Sequence, residues 1–189
     1  MHRMIPNSSP VADVSLAGRP IALIGFMGVG KTAVGKRLAR LLGFQFLDTD
    51  SLIEQKANKP ISVIFAEEGQ DAFRRLENEA LREALRSPDR VVSTGGGITL
   101  REENRDILMG QAVVVLLTAT PVTILRRVQP LGKRPLLLGF ANPLKRIEDL
   151  LKEREEAYAN YHFLVDTTDS RPDRTAASIA GWYNALKQN

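Results

Sequence analysis

The chain has 189 residues, the size of one domain, and no cysteine, which excludes thiol catalysis, zinc–thiolate and iron–sulfur sites and any disulfide framework. Lys and Arg number 26 against 22 Asp and Glu, and the two signs are interleaved along the same stretches, as in residues 74–86 and 145–156, so the net charge of +4 marks no basic patch for nucleic acid. No window reaches the run of about 18 apolar residues that a membrane span requires.

In chain order, residues 1–19 lack the apolar core of a secretory signal, contain Asp13, and read as a disordered tail on a cytoplasmic protein. A single domain is expected over 20–189. Residues 21–25 (IALIG) form an apolar run typical of a strand buried on both faces, and 31–43 follow with Val34, Leu38 and Leu41/Leu42 at helical spacing and Gly43 as a stop. Residues 44–48 read as a second strand. Two short helices broken at Asn58–Lys59–Pro60 are expected over 51–69, and a longer helix over 70–86 with Phe73, Leu76, Ala80 and Ala84 along its stripe. Strand 90–94 ends in three glycines, helix 101–109 follows, and 112–118 is the most apolar strand. Pro121 opens a helix to 128.

The period then fails. Residues 129–143 hold three prolines and two glycines, too long for a structureless connection in a compact domain, and are expected to be a mobile functional loop. Helix 144–159, strand 162–166 and helix 172–187 close the chain. Strands alternating with helices predict an α/β fold: a five-stranded parallel sheet between two helical layers, with ligands at the carboxyl ends of the strands.

Residues 25–32, GFMGVGKT, match G-x-x-x-x-G-K-[ST] between a strand and a helix, the context that a phosphate-binding loop requires. Gly25, Gly28 and Gly30 allow successive N–H groups to face one anion, and the helix mouth adds its positive end. Lys31 supplies a cation for the β- and γ-phosphates, and the Thr32 hydroxyl can ligate Mg2+. The prediction is Mg·ATP or Mg·GTP binding. Guanine specificity would call for N-K-x-D, but the Asn58–Lys59 pair is followed by Pro60 and Ile61. The third and fourth strands end without a carboxylate, so the acid must come from Asp48 or Asp50 in LDTDS. At i, i+2 they share one side of an extended segment. One could serve the metal and the other a substrate hydroxyl, or one could merely cap the following helix.

Taken together, GFMGVGKT, D-x-D at 48–50, F-R-x-x-E at 73–77, G-G-G at 95–97, R-P-L-L at 134–137 and R-x-x-x-Y at 154–158 resemble the shikimate kinases, over residues 20–187. The resemblance implies a P-loop kinase fold with a lid over about 129–143, and transfer of the γ-phosphoryl of ATP to the 3-hydroxyl of shikimate in aromatic amino-acid (chorismate) biosynthesis by a monomeric enzyme. It places Asp50 on the ring hydroxyls as candidate base, Arg74 and Arg154 on the shikimate carboxylate, and Gly96 with its backbone beside the substrate. Thr32 and Asp48 fall at the metal positions. Gly28, Val29, Gly30, Lys31, Thr32 and Ala33 fall on the nucleotide, with Arg127 on adenine and Arg134 as the lid arginine on the phosphates. Lys31, Asp50 and Arg134 make up the catalytic set.

The residues themselves leave alternatives at several of these positions. Arg154 lies on the apolar face of the expected helix 144–159, where it either snorkels or aims at a buried anion. Arg74 with Glu77 reads as an ordinary surface i, i+3 pair, although two guanidinium forks suit one carboxylate. The three glycines are either a strand-to-loop turn or a surface stripped for close approach of a ligand. Arg134 is either solvated or neutralises charge on the transferred phosphoryl. Ser170 stands where the family often has a basic residue, two positions before Pro172. A kinase for a nucleoside monophosphate or a sugar acid such as gluconate is the alternative within enzymes; an ATP-dependent switch is the alternative outside them.

Overall fold

The computed structural model describes residues 16–131 and 135–188. The elements run β1 (Ile21–Ile24), α1 (Lys31–Leu42), β2 (Gln45–Asp48), α2 (Thr49–Ala57), α3 (Ile61–Ala84), β3 (Arg90–Ser93), α4 (Glu102–Gln111), β4 (Val113–Thr118), α5 (Pro121–Val128), α6 (Pro143–Glu153), β5 (Phe163–Asp166) and α7 (Pro172–Leu186). The five strands form one sheet in the order β2-β3-β1-β4-β5, and each neighbouring pair is parallel. No described helix is long and apolar enough to cross a membrane.

Strand periodicity sets the layers. Ile21 and Leu23 of β1, with Val113, Val115 and Leu117 of β4, face a core built with α1, α5, α6 and α7. Ala22, Ile24, Val114 and Leu116 face the opposite side, against α3 and α4. Central strands with apolar neighbours on both faces read as unbroken apolar runs, while β5, at the sheet edge, alternates half-buried with exposed residues. A smaller cluster, Ile53, Ile64, Phe73 and Ala80, joins α2 to α3. The helix ends follow the sequence signals. Gly43 closes α1 with φ 71°, Thr120 and Asn142 cap α5 and α6 through side-chain oxygens, and prolines open α5, α6 and α7.

Four expectations change. Residues 16–19, assigned to a tail, are packed: Leu16 is buried in the α1/α7 core, and the Tyr183 hydroxyl donates to the Arg19 carbonyl at 2.9 Å. The rest of the expected tail lies outside the described residues. The helical hydrogen bonding of α3 continues from 61 to 84, and the junction expected near residue 70 survives as a kink at Gly69 (φ 79°, ψ −179°). Within the aperiodic 129–143 segment, Pro135–Leu137 form a 3-10 turn whose Leu137 is buried beside Ile147 and Leu150. Finally, α6 stops at Glu153 instead of reaching 159. Arg154 is its C-cap (φ −107°, ψ 6°), and Glu156–Tyr158 form a separate 3-10 turn.

Candidate active site

The chain leaves β1 toward β2 on one side and crosses from β3 to β4 on the other, so a crevice opens between the carboxyl ends of β1 and β3. A cleft of about 350 Å³ fills it, floored by residues 28–33 and walled by Asp48, Asp50, Ser93, Thr94, Gly96 and Arg127. The turn geometry explains the glycines of the phosphate loop. Gly25 has φ 133°, and a Cβ there would stand 2.3 Å from the Leu117 carbonyl oxygen; Gly28 has φ 77°, with Val128 Cγ1 at 2.7 Å from the same point. Lys31 is buried, and its Nζ donates to the carbonyls of Gly25 (2.7 Å) and Phe26 (2.9 Å), which hold the ammonium over the loop. Gly28, Gly30, Lys31, Thr32 and Ala33 line the cleft; the Val29 side chain is in the core, so only its backbone can face a ligand.

The two aspartates divide their work. Asp48 Oδ1 accepts from the backbone N–H of Asp50 (3.1 Å) and Ser51 (3.4 Å), capping α2, while its Oδ2 accepts from the Thr32 hydroxyl at 3.0 Å. Capping and a cleft-facing role therefore coexist in one carboxylate. Ser93 Oγ, at the end of β3, lies 3.3 Å from the same Thr32 hydroxyl. Asp50 faces the cleft, and its pKa is raised from an ordinary 3.8 to about 6. Burial is the main cause, followed by the like charges of Asp48 and Glu77, with Lys31 pulling the other way.

The glycines 95–97 bring the remaining groups together. A Cβ on Gly95 would meet Asp50 Oδ1 at 2.6 Å, one on Gly97 would meet Arg74 Nη1 at 2.9 Å, and one on Gly96 would stand 3.4 Å from the Met27 backbone nitrogen. Arg154 Nη1 donates to the Gly96 carbonyl at 3.0 Å and Arg74 Nη1 to that of Gly97 at 3.4 Å. Asp50 thus packs against Gly95, while Arg154 and Arg74 hydrogen-bond the next two residues of the same loop, beside the phosphate cradle. The Arg154 guanidinium also lies over the Phe26 ring, 5.2 Å from its centroid, so the phosphate loop itself supports the arginine.

Arg74–Glu77 is not the surface pair that its spacing suggests. The Glu77 side chain is 2 % exposed and that of Arg74 14 %, at 2.5 Å separation. Burial raises the Glu77 pKa even against the opposing pull of Arg74. The signal was in the sequence: Glu77 follows Phe73 by four and precedes Ala80 by three and Ala84 by seven, on the buried stripe of α3. Arg154 departs differently. Its amide bonds the Leu151 carbonyl at 3.3 Å, a tightened last turn, so it leaves the helix end instead of lying along an apolar face.

Arg127, which also lines the cleft, donates to the Thr167 hydroxyl at 3.0 Å and to the Thr167 carbonyl at 2.6 Å. Ser170 Oγ accepts from Thr175 Oγ1 at 3.0 Å, a local tie within the turn before α7. Arg134 lies outside the described residues. Sequence reasoning missed Ser93, Thr94 and Thr167, small hydroxyls at strand ends with no spacing to mark them. Among the described residues no cluster of three His, Asp or Glu offers a metal cage; the Thr32 hydroxyl and Asp48 carboxylate form an oxygen pair in the cleft, with Ser93 Oγ and Asp50 beside them.

A sequence model of the shikimate kinase family matches residues 27–183. The shikimate kinase of Caldanaerobacter subterraneus subsp. tengcongensis is 41% identical over 167 residues, which cover 88% of this chain and 97% of that one. The shikimate kinase of Thermobifida fusca is 45% identical over 167 residues, covering 87% and 95%. Among solved structures, shikimate kinase from Acinetobacter baumannii in complex with shikimate superposes with a TM-score of 0.83 at 36% identity, covering 90% of this chain and 96% of that one. Residues 27–32 of the phosphate loop, the aspartate pair and the glycine loop with its two arginines all lie within the span that the family model matches, and the chain belongs to the shikimate kinase family.

Proposed function

We infer that the chain transfers the γ-phosphoryl of ATP to the 3-hydroxyl of shikimate, forming shikimate 3-phosphate in the pathway to chorismate and the aromatic amino acids. The observation that carries this reading is the gathering of Asp50, Arg154 and Arg74 on successive glycines beside the phosphate loop, the carboxyl packed against Gly95 and the two guanidiniums hydrogen-bonded to Gly96 and Gly97. An acceptor with a carboxylate at one end and a hydroxyl at the other would lie across that loop, its anion against two guanidiniums and its hydroxyl toward Asp50 and the triphosphate.

The chemistry then asks mainly for position and charge. The N–H groups of residues 28–33 and the Lys31 ammonium hold the phosphates, and Arg127 faces the nucleoside end. Thr32 and Asp48, hard oxygen donors 3.0 Å apart, fit Mg2+, which when bound offsets phosphate charge. Asp50 orients the 3-hydroxyl and takes its proton as the oxygen–phosphorus bond forms and the bond to the β-phosphate oxygen breaks. Its raised pKa suits a group that must hold a proton near neutrality. Arg134, on the connection between α5 and α6, is assigned to the phosphoryl charge from its place in the R-P-L-L segment. Arg74 and Arg154 supply planar forks for the carboxylate.

The test is ADP formation from ATP with and without shikimate, in the wild type and in Lys31→Ala. Strong dependence on shikimate, abolished in Lys31→Ala, is expected. ADP release indifferent to shikimate would select a nucleotide switch instead.

A further inference from the structure

Tyr158, the last residue of the R-x-x-x-Y segment, has no part in the scheme above. It sits on the 3-10 turn after α6, and its hydroxyl donates to the Gly96 carbonyl at 2.9 Å. That is the same oxygen that accepts Arg154 Nη1 at 3.0 Å. A carbonyl oxygen has two lone pairs, so the two donors fill it. The Tyr158 backbone N–H also donates to the Arg154 carbonyl at 3.1 Å, fixing the two residues as one unit. The Tyr158 ring lines an apolar cavity of about 230 Å³ together with Phe26 and Leu151, which leaves the hydroxyl as its one polar outlet.

We propose that Tyr158 is a positioning residue for the acceptor carboxylate, acting through Gly96 and Arg154; this rests on the reading of Arg154 as a carboxylate clamp. A guanidinium has five N–H donors, so Arg154 can keep Nη1 on the Gly96 carbonyl while another edge forks onto a carboxylate. That carbonyl is therefore the anchor that aims the fork, and Tyr158 is its second tie. Without the Tyr158 hydroxyl, Arg154 alone would hold the carbonyl, and the glycine loop and the arginine could shift together, which weakens acceptor binding. With Tyr158 in place the glycine loop keeps its shape, and Arg154 presents its remaining N–H groups to the ligand. Burial pushes the Tyr158 pKa up, so the hydroxyl remains a donor across the working pH range.

Steady-state kinetics of Tyr158→Phe test this. The KM for shikimate is expected to rise about three- to tenfold, the loss of one neutral hydrogen bond, with the KM for ATP and kcat changed less than about twofold. In an Arg154→Ala background the same substitution should change the shikimate KM less than about twofold, because the group through which it acts is gone. An unchanged shikimate KM overturns the proposal. So does a fall in kcat alone, since a smaller folded fraction lowers kcat without moving KM, and so does an equal effect in the Arg154→Ala background. A wild-type enzyme that forms no ADP in response to shikimate would sink the clamp reading itself.

Discussion

The carboxyls of Asp50 and Glu77 meet across Gly95: a Cβ there would stand 2.6 Å from Asp50 Oδ1 and 3.2 Å from Glu77 Oε1. Burial and the neighbouring charges raise the Asp50 pKa to about 6. An acid raised in the folded state keeps its proton where the unfolded chain has already released it. Between about pH 4 and 6 the native state therefore binds more protons, and the contribution of Asp50 to stability falls as pH rises. Asp50→Asn removes that cost. The variant should be more stable than wild type by roughly 1–3 kcal/mol at neutral pH and no more stable near pH 4, while phosphoryl transfer is lost. Thermal melts at both pH values check it, and a pH-independent gain would place the cost elsewhere.

The same carboxyl predicts the rate profile. Only ionised Asp50 can take the hydroxyl proton, so kcat/KM for shikimate should climb with pH up to about 6 and then level off. A profile flat from about pH 5 to 8 would remove the proton-accepting role and leave orientation alone.

Arg74 has a structural task besides its assigned substrate. Arg74→Ala leaves Glu77 buried without its cation, a loss of about 3 kcal/mol, in addition to a roughly ten- to hundredfold weaker hold on shikimate. Adding Glu77→Gln should restore most of the stability and none of the affinity. Arg154→Ala should weaken shikimate to the same degree with a smaller loss of stability, because it leaves a backbone carbonyl that Tyr158 still serves. Denaturant unfolding and shikimate titration of the three variants separate the two effects.

The fold was legible wherever one local rule decided. Periodicity and end signals placed every strand, and Gly43 and Pro121 marked helix ends where they occur. The phosphate loop was legible because a full motif lay between a strand and a helix. What stayed hidden depends on contacts distant in sequence. Leu16 is buried because α7 and α1 cover it, and α6 ends at Glu153 because Arg154 turns toward Gly96, 58 residues earlier. Glu77 was misjudged because a charge at i, i+3 from an arginine looks solvated until the stripe that it shares with Phe73 and Ala84 is counted.

Thr167 shows how much a single hidden hydroxyl can hold. Its Oγ1 accepts from Arg127 at 3.0 Å and lies 2.9 Å from the carbonyls of both Val29 and Thr118. Thr118 already receives the Thr167 backbone N–H at 2.8 Å, so the one hydroxyl proton is best spent on Val29, within the phosphate loop. Arg127 and the nucleotide cradle are thereby linked through one buried side chain. Thr167→Val keeps the shape and removes the link. It should raise the KM for ATP about three- to tenfold and cost about 1–3 kcal/mol of stability, with the shikimate KM unchanged. Thr167→Ser retains the hydroxyl and should recover the ATP KM. If serine fails to restore it, the methyl packing and not the hydrogen bond sets the loop.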